Sequence, residues 1–238
     1  MAISVDTVYQ KVLALANKEQ RGYITPQEYL LLADQAQQLI FEQYFYDIDK
    51  SLDLFANNTE YSNRMSEIEE RLAPFKNTNV DMASVSGSTM TLPTTLHRLG
   101  TVFYNDGTRS VKVEQVDAGE AEMMQQTALY AATQLRPIYV RRTATKIQFY
   151  PSSATPAYST STVNCNFIDT PVKPIWNYTV VNNQALYNTT GSVDFELHES
   201  EETDLVYKIL EMAGVVLNKP GLVQIATNEE TALIAKKQ

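Results

Sequence analysis

Cysteine is nearly absent: Cys165 stands alone among 238 residues. No intrachain disulfide can form, and a cysteine-based zinc cluster is excluded. Histidine is almost as scarce, with His97 and His198 only. A nucleophile–base–carboxylate triad would therefore have to be built on one of these two. Cys165 lies between asparagines in a strand-like run, and a buried strand cysteine with surface histidines is the commoner arrangement than a Cys–His pair. The eight glycines are scattered. Gly87, Gly100 and Gly107 are isolated, so no Gly-rich loop exists to cradle a phosphate. Basic residues are in the minority, and the formal net charge is −9. That balance argues against a protein that grips nucleic acid by its phosphates. No apolar run approaches the length that spans a bilayer, and Met1-Ala2-Ile3-Ser4-Val5-Asp6 lacks the basic-then-apolar layout of a secretion signal. The expectation is a soluble chain made in a reducing compartment.

Other apparent motifs dissolve on inspection. Asp47, Asp49, Ser51 and Asp53 are spaced like a calcium loop, but Leu52 stands where Gly is needed and Asn58 where Glu is needed. Glu69-Glu70 and Glu201-Glu202 are paired carboxylates explained by solvation. Sequons at Asn57, Asn177 and Asn188 are short enough to arise by chance. The densest cations, Arg136, Arg141, Arg142 and Lys146, fit alternate solvated positions of a hairpin. No cofactor or metal site is expected.

What is abundant is tyrosine, with 14 Tyr against 8 Phe and one Trp. Its apolar ring and polar tip suit either an interface or the surface of a β-sheet. The first third reads as helix. Val5, Val8, Val12 and Leu15 form one stripe behind Ser4 or Asp6 as cap. A second helix opens at Thr25-Pro26-Gln27-Glu28, where Glu28 completes a capping box and Ile24 with Tyr29 makes a hydrophobic staple. It should run to about Lys50, roughly 37 Å. This helix is apolar on more sides than an ordinary surface helix, and Phe41, Tyr44, Phe45 and Tyr46 are its candidate contacts to another subunit. A third helix starts near Thr59 and is stopped by Pro74.

The expected architecture is α+β in four parts. Residues 1–75 form an N-terminal helical bundle. Residues 76–91, rich in Ser, Thr and Asn, form a linker or an extended arm. Residues 92–198 form an antiparallel β domain with a short helix, and residues 199–238 supply C-terminal helices that pack back on the bundle. Strands are expected over Leu99–Tyr104, at Val111 and Val113 after the Asn105-Asp106-Gly107 turn, over Pro137–Arg142 and Lys146–Tyr150, and over Val163–Ile168, Ile175–Val181 and Ser192–Leu197. Asp117 with Glu120 caps a helix through about Tyr130. A last helix should cover Leu222–Ala235. Lys219, Leu222, Ile225 and Leu233 in that tail are further candidate partner contacts.

Several stretches, taken together, resemble a known group: Asn17-Lys18-Glu19-Gln20-Arg21-Gly22-Tyr23-Ile24-Thr25-Pro26-Gln27-Glu28, Phe41-Glu42-Gln43-Tyr44-Phe45-Tyr46, Leu99-Gly100-Thr101-Val102-Phe103-Tyr104, Arg136-Pro137-Ile138-Tyr139-Val140-Arg141, and Ser200-Glu201-Glu202-Thr203-Asp204-Leu205. The chain is similar in these to virion structural proteins of marine and gut tailed bacteriophages, including the crAss-like group. Its layout also looks like the head-to-tail adaptors of short-tailed phages. The resemblance implies a non-enzymatic ring, dodecameric in those adaptors, in the neck or tail. Its partners would be copies of itself, the portal protein and other neck or tail proteins. Genomic DNA would pass through at ejection without specific binding, past an acidic lining that keeps it from sticking. Localisation would be the virion, with the host cytoplasm during assembly. The alternative is a peripheral tail or receptor-binding module, in which Ser/Thr/Asn/Tyr-rich stretches at Ser152–Thr162 and Asn177–Thr190 meet sugars.

Overall fold

A computed structural model describes residues 2–17, 24–53, 59–154, 157–182 and 184–216, together with 227, 228 and 231. Its helices are α1 (Val5–Asn17), α2 (Pro26–Asp53), α3 (Thr59–Leu72), α4 (Ala118–Gln126) and α5 (Glu202–Val216). Its strands are β1 (Lys76–Asp81), β2 (Ala83–Ser86), β3 (Thr89–Thr91), β4 (Leu96–Asn105), β5 (Ser110–Gln115), β6 (Ile138–Arg141), β7 (Lys146–Tyr150), β8 (Val163–Asp169), β9 (Tyr178–Val181) and β10 (Gln184–Tyr187). The class is α+β, as expected. Two compact units result: Met1–Pro74 with Pro171–Gln238, and Phe75–Thr170.

The first unit is helical. α2 begins as its sequence dictates. Thr25 N–H donates to Glu28 Oε2 at 2.9 Å, and Glu28 N–H returns to Thr25 Oγ1 at 3.3 Å. Ile24 and Tyr29 are both buried, as a staple requires. Tyr29, Ala33, Ala36, Ile40, Phe41, Tyr44 and Phe45 then follow at helical spacing and are all buried. α2 packs against α3 and α5, and α1 packs against α5. The start of α1 is held by distant residues: Ile3 bridges Phe195, and Asp194 Oδ1 accepts Val5 N–H at 2.9 Å. Of the two caps expected from sequence, Ser4 accepts Thr7 N–H at 3.5 Å, whereas Asp6 accepts from Trp176 Nε1 at 2.9 Å. Leu15, expected on the buried stripe, is exposed, and Tyr9 and Ala16 are buried instead. Tyr9 stacks between Tyr29 and Trp176, with ring centroids at 4.6 and 4.5 Å. Buried Gln37 ties α2 to the returning chain, donating to Val172 O at 2.8 Å and accepting Glu196 N–H at 3.4 Å.

The second unit is a curled eight-stranded sheet in the order β1-β8-β4-β5-β6-β7-β3-β2. Every pair is antiparallel except β5–β6. β1 and β2 stand at opposite ends of that order, yet Met82 alone separates them in the chain. Residues 76–86 are thus one bent strand that leaves β8 and joins β3, so the sheet closes on itself. Met82 N–H bonds Val163 O at 3.0 Å across the seam, and Ser84 N–H reaches Thr160 Oγ1 at 3.3 Å. Closure removes the free edges an open sheet would expose. The interior holds Met82, Met90, Tyr104, Ile147, Phe149, Val163 and Cys165, among others. α4 covers the outside, where Val116 and Ala121 pack with Ile138 and Val140. Asp117 caps α4 by accepting Gly119 N–H, but the helix ends at Gln126, short of Tyr130. β4 and β8 run unusually close at one point: a Cβ on Gly100 would lie 2.9 Å from Asn166 O, so only glycine fits.

Two expectations need correction. Residues 76–91 are not a linker or arm but β1, β2 and β3. Their inward residues are sparse, chiefly Val80, Met82 and Met90, and the intervening Asn, Ser and Thr point outward, which gives the segment a loop-like composition. The region 171–198 belongs to the helical unit and not to the β domain. Ser192–Leu197 forms no extended strand there. Val193 and Phe195 make single bridges to Ile175 and Ile3, and a separate hairpin, β9–β10, occupies 178–187. The expected Leu222–Ala235 helix lies outside the described residues apart from 227, 228 and 231, which are helical.

Candidate functional site

The four aromatic residues proposed as subunit contacts on α2 divide. Phe41, Tyr44 and Phe45 are buried inside the helical unit, with Phe41 and Phe45 meeting edge to face at 5.1 Å. They are core and offer no surface to a second chain, because α3 and α5 already cover that side. Tyr46 is 66% exposed. Lys219, Leu222, Ile225 and Leu233 lie outside the described residues.

A second stripe on α2 does face outward. Leu31, Leu39 and Tyr46 alternate with Glu28, Gln35, Glu42 and Asp49 at spacings of three and four residues, and all seven are exposed. Residues three and four apart share one face of a helix. The face is therefore mixed, apolar and acidic as far as Tyr46, with exposed Lys50 four residues beyond it. The Thr25 backbone N–H, and then the Thr25 hydroxyl, hold the Glu28 carboxyl below its ordinary value.

The sheet unit also exposes large apolar residues. Met123, Leu129, Tyr130 and Leu135 are all more than half exposed, Leu129 at 83%. From Met123 to Ile168 the sequence contains Arg136, Arg141, Arg142 and Lys146 and no carboxylate. Arg142 lies on the α4-side face of the β6–β7 hairpin, donating to Gln148 Oε1 and the Tyr150 hydroxyl, each at 2.8 Å. Arg136 reaches Glu114 at 3.5 Å. The units differ sharply in charge. The helical unit carries eleven Lys and Arg against twenty-one Asp and Glu, a balance of −10, and the sheet unit eight against seven, a balance of +1.

The residues that could carry reaction chemistry stand apart. Cys165 is fully buried in the sheet interior, where burial pushes its thiol up to about 11. Its register partner on β4 is Val102, five residues along from His97. His198 is in the other unit, where it caps a short turn by accepting Ser200 N–H at 3.3 Å. Asp47, Asp49, Ser51 and Asp53 lie within α2, so no calcium loop exists there. Among the described residues, no three His, Cys, Asp or Glu side chains converge as a metal site, and no helix is long and apolar enough to cross a membrane. A shallow groove of about 330 Å³ follows the β1–β8–β4 seam beside Gly100.

The aromatics of the two polar stretches are largely engaged in packing. Tyr158 is buried against Phe149 and Tyr104, and Tyr178 and Tyr187 stack on buried Trp176. No protein-family model matches the chain, and no curated protein matches it either.

Proposed function

We propose that the chain is a structural building block of a tailed-phage virion. In this reading it forms a ring in the head-to-tail connector, as portal adaptor or neck component, and genomic DNA passes through that ring. The single observation that carries the reading is the chain's unspent apolar surface. Large apolar residues stand exposed in both units: Leu31, Leu39 and Tyr46 on α2, Met123 on α4, and Leu129, Tyr130 and Leu135 in the turns that follow α4. Exposed apolar side chains are surface that a protein–protein contact can bury. The stretches similar to virion proteins and the acidic helical unit support the same reading, since carboxylates repel a polyanion in transit. In this role the chain acts by assembly and not by turnover. Its partners are copies of itself, the portal protein and other neck or tail proteins, and its place is the virion.

Native mass measurement and electron microscopy of the full chain, alone and with a portal ring, test the proposal. A closed ring in either condition is the expected result. A monomer that binds no portal at any concentration would overturn it.

A further inference from the structure

We infer that the β9–β10 hairpin is the joining element of the assembly, the outer edge of β10 in one copy pairing antiparallel with the outer edge of β9 in the next. This inference rests on the assembly reading above and names the contact within it. β9 and β10 form a two-stranded sheet to which, among the described residues, no third strand adds. Their pairs run from Tyr178–Tyr187 to Val181–Gln184 without a bulge. Asn188 N–H bonds Asn177 O at 2.8 Å, so the pair at the base of the ribbon is a hydrogen-bonded one. Bonded and non-bonded pairs alternate along an antiparallel ribbon. Tyr178, Val180, Ala185 and Tyr187 are therefore the residues whose backbone N–H and C=O point outward. Asn177 Oδ1 accepts the Tyr178 N–H at 3.0 Å, and the other outward groups are left for a further strand. Only the base of the ribbon is packed. Tyr178 and Tyr187 stack on Trp176 at 5.5 and 6.0 Å, whereas Val180 is 66% exposed, and Val181 and Leu186 are exposed too. A lone two-stranded ribbon is marginal in water. Native edges are commonly guarded by lysine, proline or a bulge. From Ile175 to Val193 the sequence contains no charged residue and no proline.

The outward groups are backbone donors and acceptors, so the occupant is an extended strand. The ribbon has two such edges, and that selects whose strand it is. A strand from another protein would cover one edge and leave the other as it was. A second copy brings both: its β9 covers the β10 of the first, and its own β10 passes to a third. With Ala185 opposite Val180 of the next copy, those two residues exchange both N–H···O bonds, and Tyr187 N–H meets the Tyr178 C=O. The absence of charge lets copies of a unit at −10 meet here without opposing like charges. A contact between two different edges of the same chain is heterologous, and its repetition generates a ring where the rotation closes. A closed belt of hairpins has no edge left over.

Proline substitution on the full chain tests the pairing. Val180→Pro removes an outward N–H from β9, and Ala185→Pro removes one from β10. Neither N–H bonds within the hairpin, and edge positions of this kind tolerate proline. Circular dichroism, with the fluorescence of Trp176 stacked on Tyr178 and Tyr187, checks that each variant keeps its hairpin. Sedimentation is run in the condition where the wild type forms its ring. Each variant alone should associate about tenfold or more weakly than the wild type, because every junction then has one blocked edge. An equimolar mixture of the two should stop at a dimer. The intact β10 of the Val180→Pro copy meets the intact β9 of the Ala185→Pro copy, and the return junction is blocked on both sides. Hydrogen exchange on the unsubstituted chain needs no variant: the peptide 178–187 should gain protection when the ring forms. If the wild type forms a ring and both variants do so equally well, or the peptide gains no protection, this contact is wrong and the assembly reading stands. Loss in one variant only, or a mixture that grows past the dimer or stays monomeric, refutes the pairing of β10 with β9. A wild type that stays monomeric with and without a portal overturns both.

Discussion

Arg71 lies in the last turn of α3 and Glu201 in the short turn just ahead of α5, and their side chains meet at 3.2 Å between Nε and Oε1. Both charges sit where the helix dipoles favour them, the cation at a C-terminus and the carboxylate at an N-terminus. Glu201 is 3% exposed at its side chain and Arg71 20%. The hydroxyl of Tyr44 is buried nearby without a hydrogen-bond partner, its ionisation pushed up first by burial and then by the charge of Glu201. Arg71→Met would remove this cation from a buried carboxylate and leave it the Ser200 hydroxyl at 3.4 Å. The expected loss is about 3–5 kcal/mol, the range for breaking a buried pair from one side. Glu201→Gln should cost less, about 1–3 kcal/mol, since Arg71 can turn toward water. The double variant Arg71→Met, Glu201→Leu should recover most of the loss, as well-packed apolar replacements of buried pairs do. Trp176 is the one tryptophan and is buried in the same unit, so its fluorescence reports that unit's unfolding. With a urea dependence of about 3 kcal/mol per molar, the midpoint of Arg71→Met should fall by roughly 1–1.7 M. A shift under about 0.3 M, or a double variant no better than Arg71→Met, would refute the reasoning.

Thr25→Ala should lower stability by about 1 kcal/mol through loss of the cap, measured by the same fluorescence. The acid limb of stability checks the carboxylates. Glu28 is held below its ordinary 4.5 by the Thr25 N–H, and Asp106 below its ordinary 3.8 by the N–H groups of Arg109 and Thr108. A depressed folded pKa gives stability that is complete above the ordinary value and fades as the pH falls through the folded one. Melting temperature should therefore drop as the solution is acidified below about pH 4.5, less steeply in Thr25→Ala. Tyr158 is buried with its hydroxyl unpaired, so Tyr158→Phe should be neutral or stabilising, whereas Tyr158→Ala should cost about 3–5 kcal/mol in a thermal melt. Gly100→Ala should cost about 1–3 kcal/mol, because the new methyl meets backbone and not a movable side chain.

The helices were legible because their signals are local. The Thr25–Glu28 box, the Val5–Val8–Val12 stripe and Pro74 act within a turn or two of chain, and α1, α2 and α3 begin and end close to where those residues place them. β4, β6, β7 and β8 were legible for the same reason, being apolar runs bounded by turn residues. The bent strand 76–86 was not, because its stability comes from β8 on one side and β3 on the other, partners 83–92 and 3–8 residues away. A strand with one inward residue in two or three and polar residues between has the composition of a loop. Asp194 capping α1 and Gln37 bonding Val172 were invisible for the same physical cause: the partner is fixed by the fold and not by spacing.

The excess of apolar residues in α2 was read correctly in amount and misplaced in angle. Phe41, Tyr44 and Phe45 fall on the side that α3 and α5 cover, whereas Leu31, Leu39 and Tyr46 fall on the other. Periodicity gives the angle between residues on a helix, but it does not say which sector the rest of the chain will occupy. Of two apolar sectors on one helix, tertiary packing therefore decides which one is buried. Charge breaks the tie. Glu28, Glu42 and Asp49 interrupt the Leu31–Leu39–Tyr46 sector, while the Tyr29–Phe45 sector contains only Gln37 as a polar member, and that residue is hydrogen-bonded on both sides of its amide. A sector desolvated on folding tolerates few charges, and one that stays in water tolerates them. The acidic residues thus mark, already in the sequence, which face of α2 meets water.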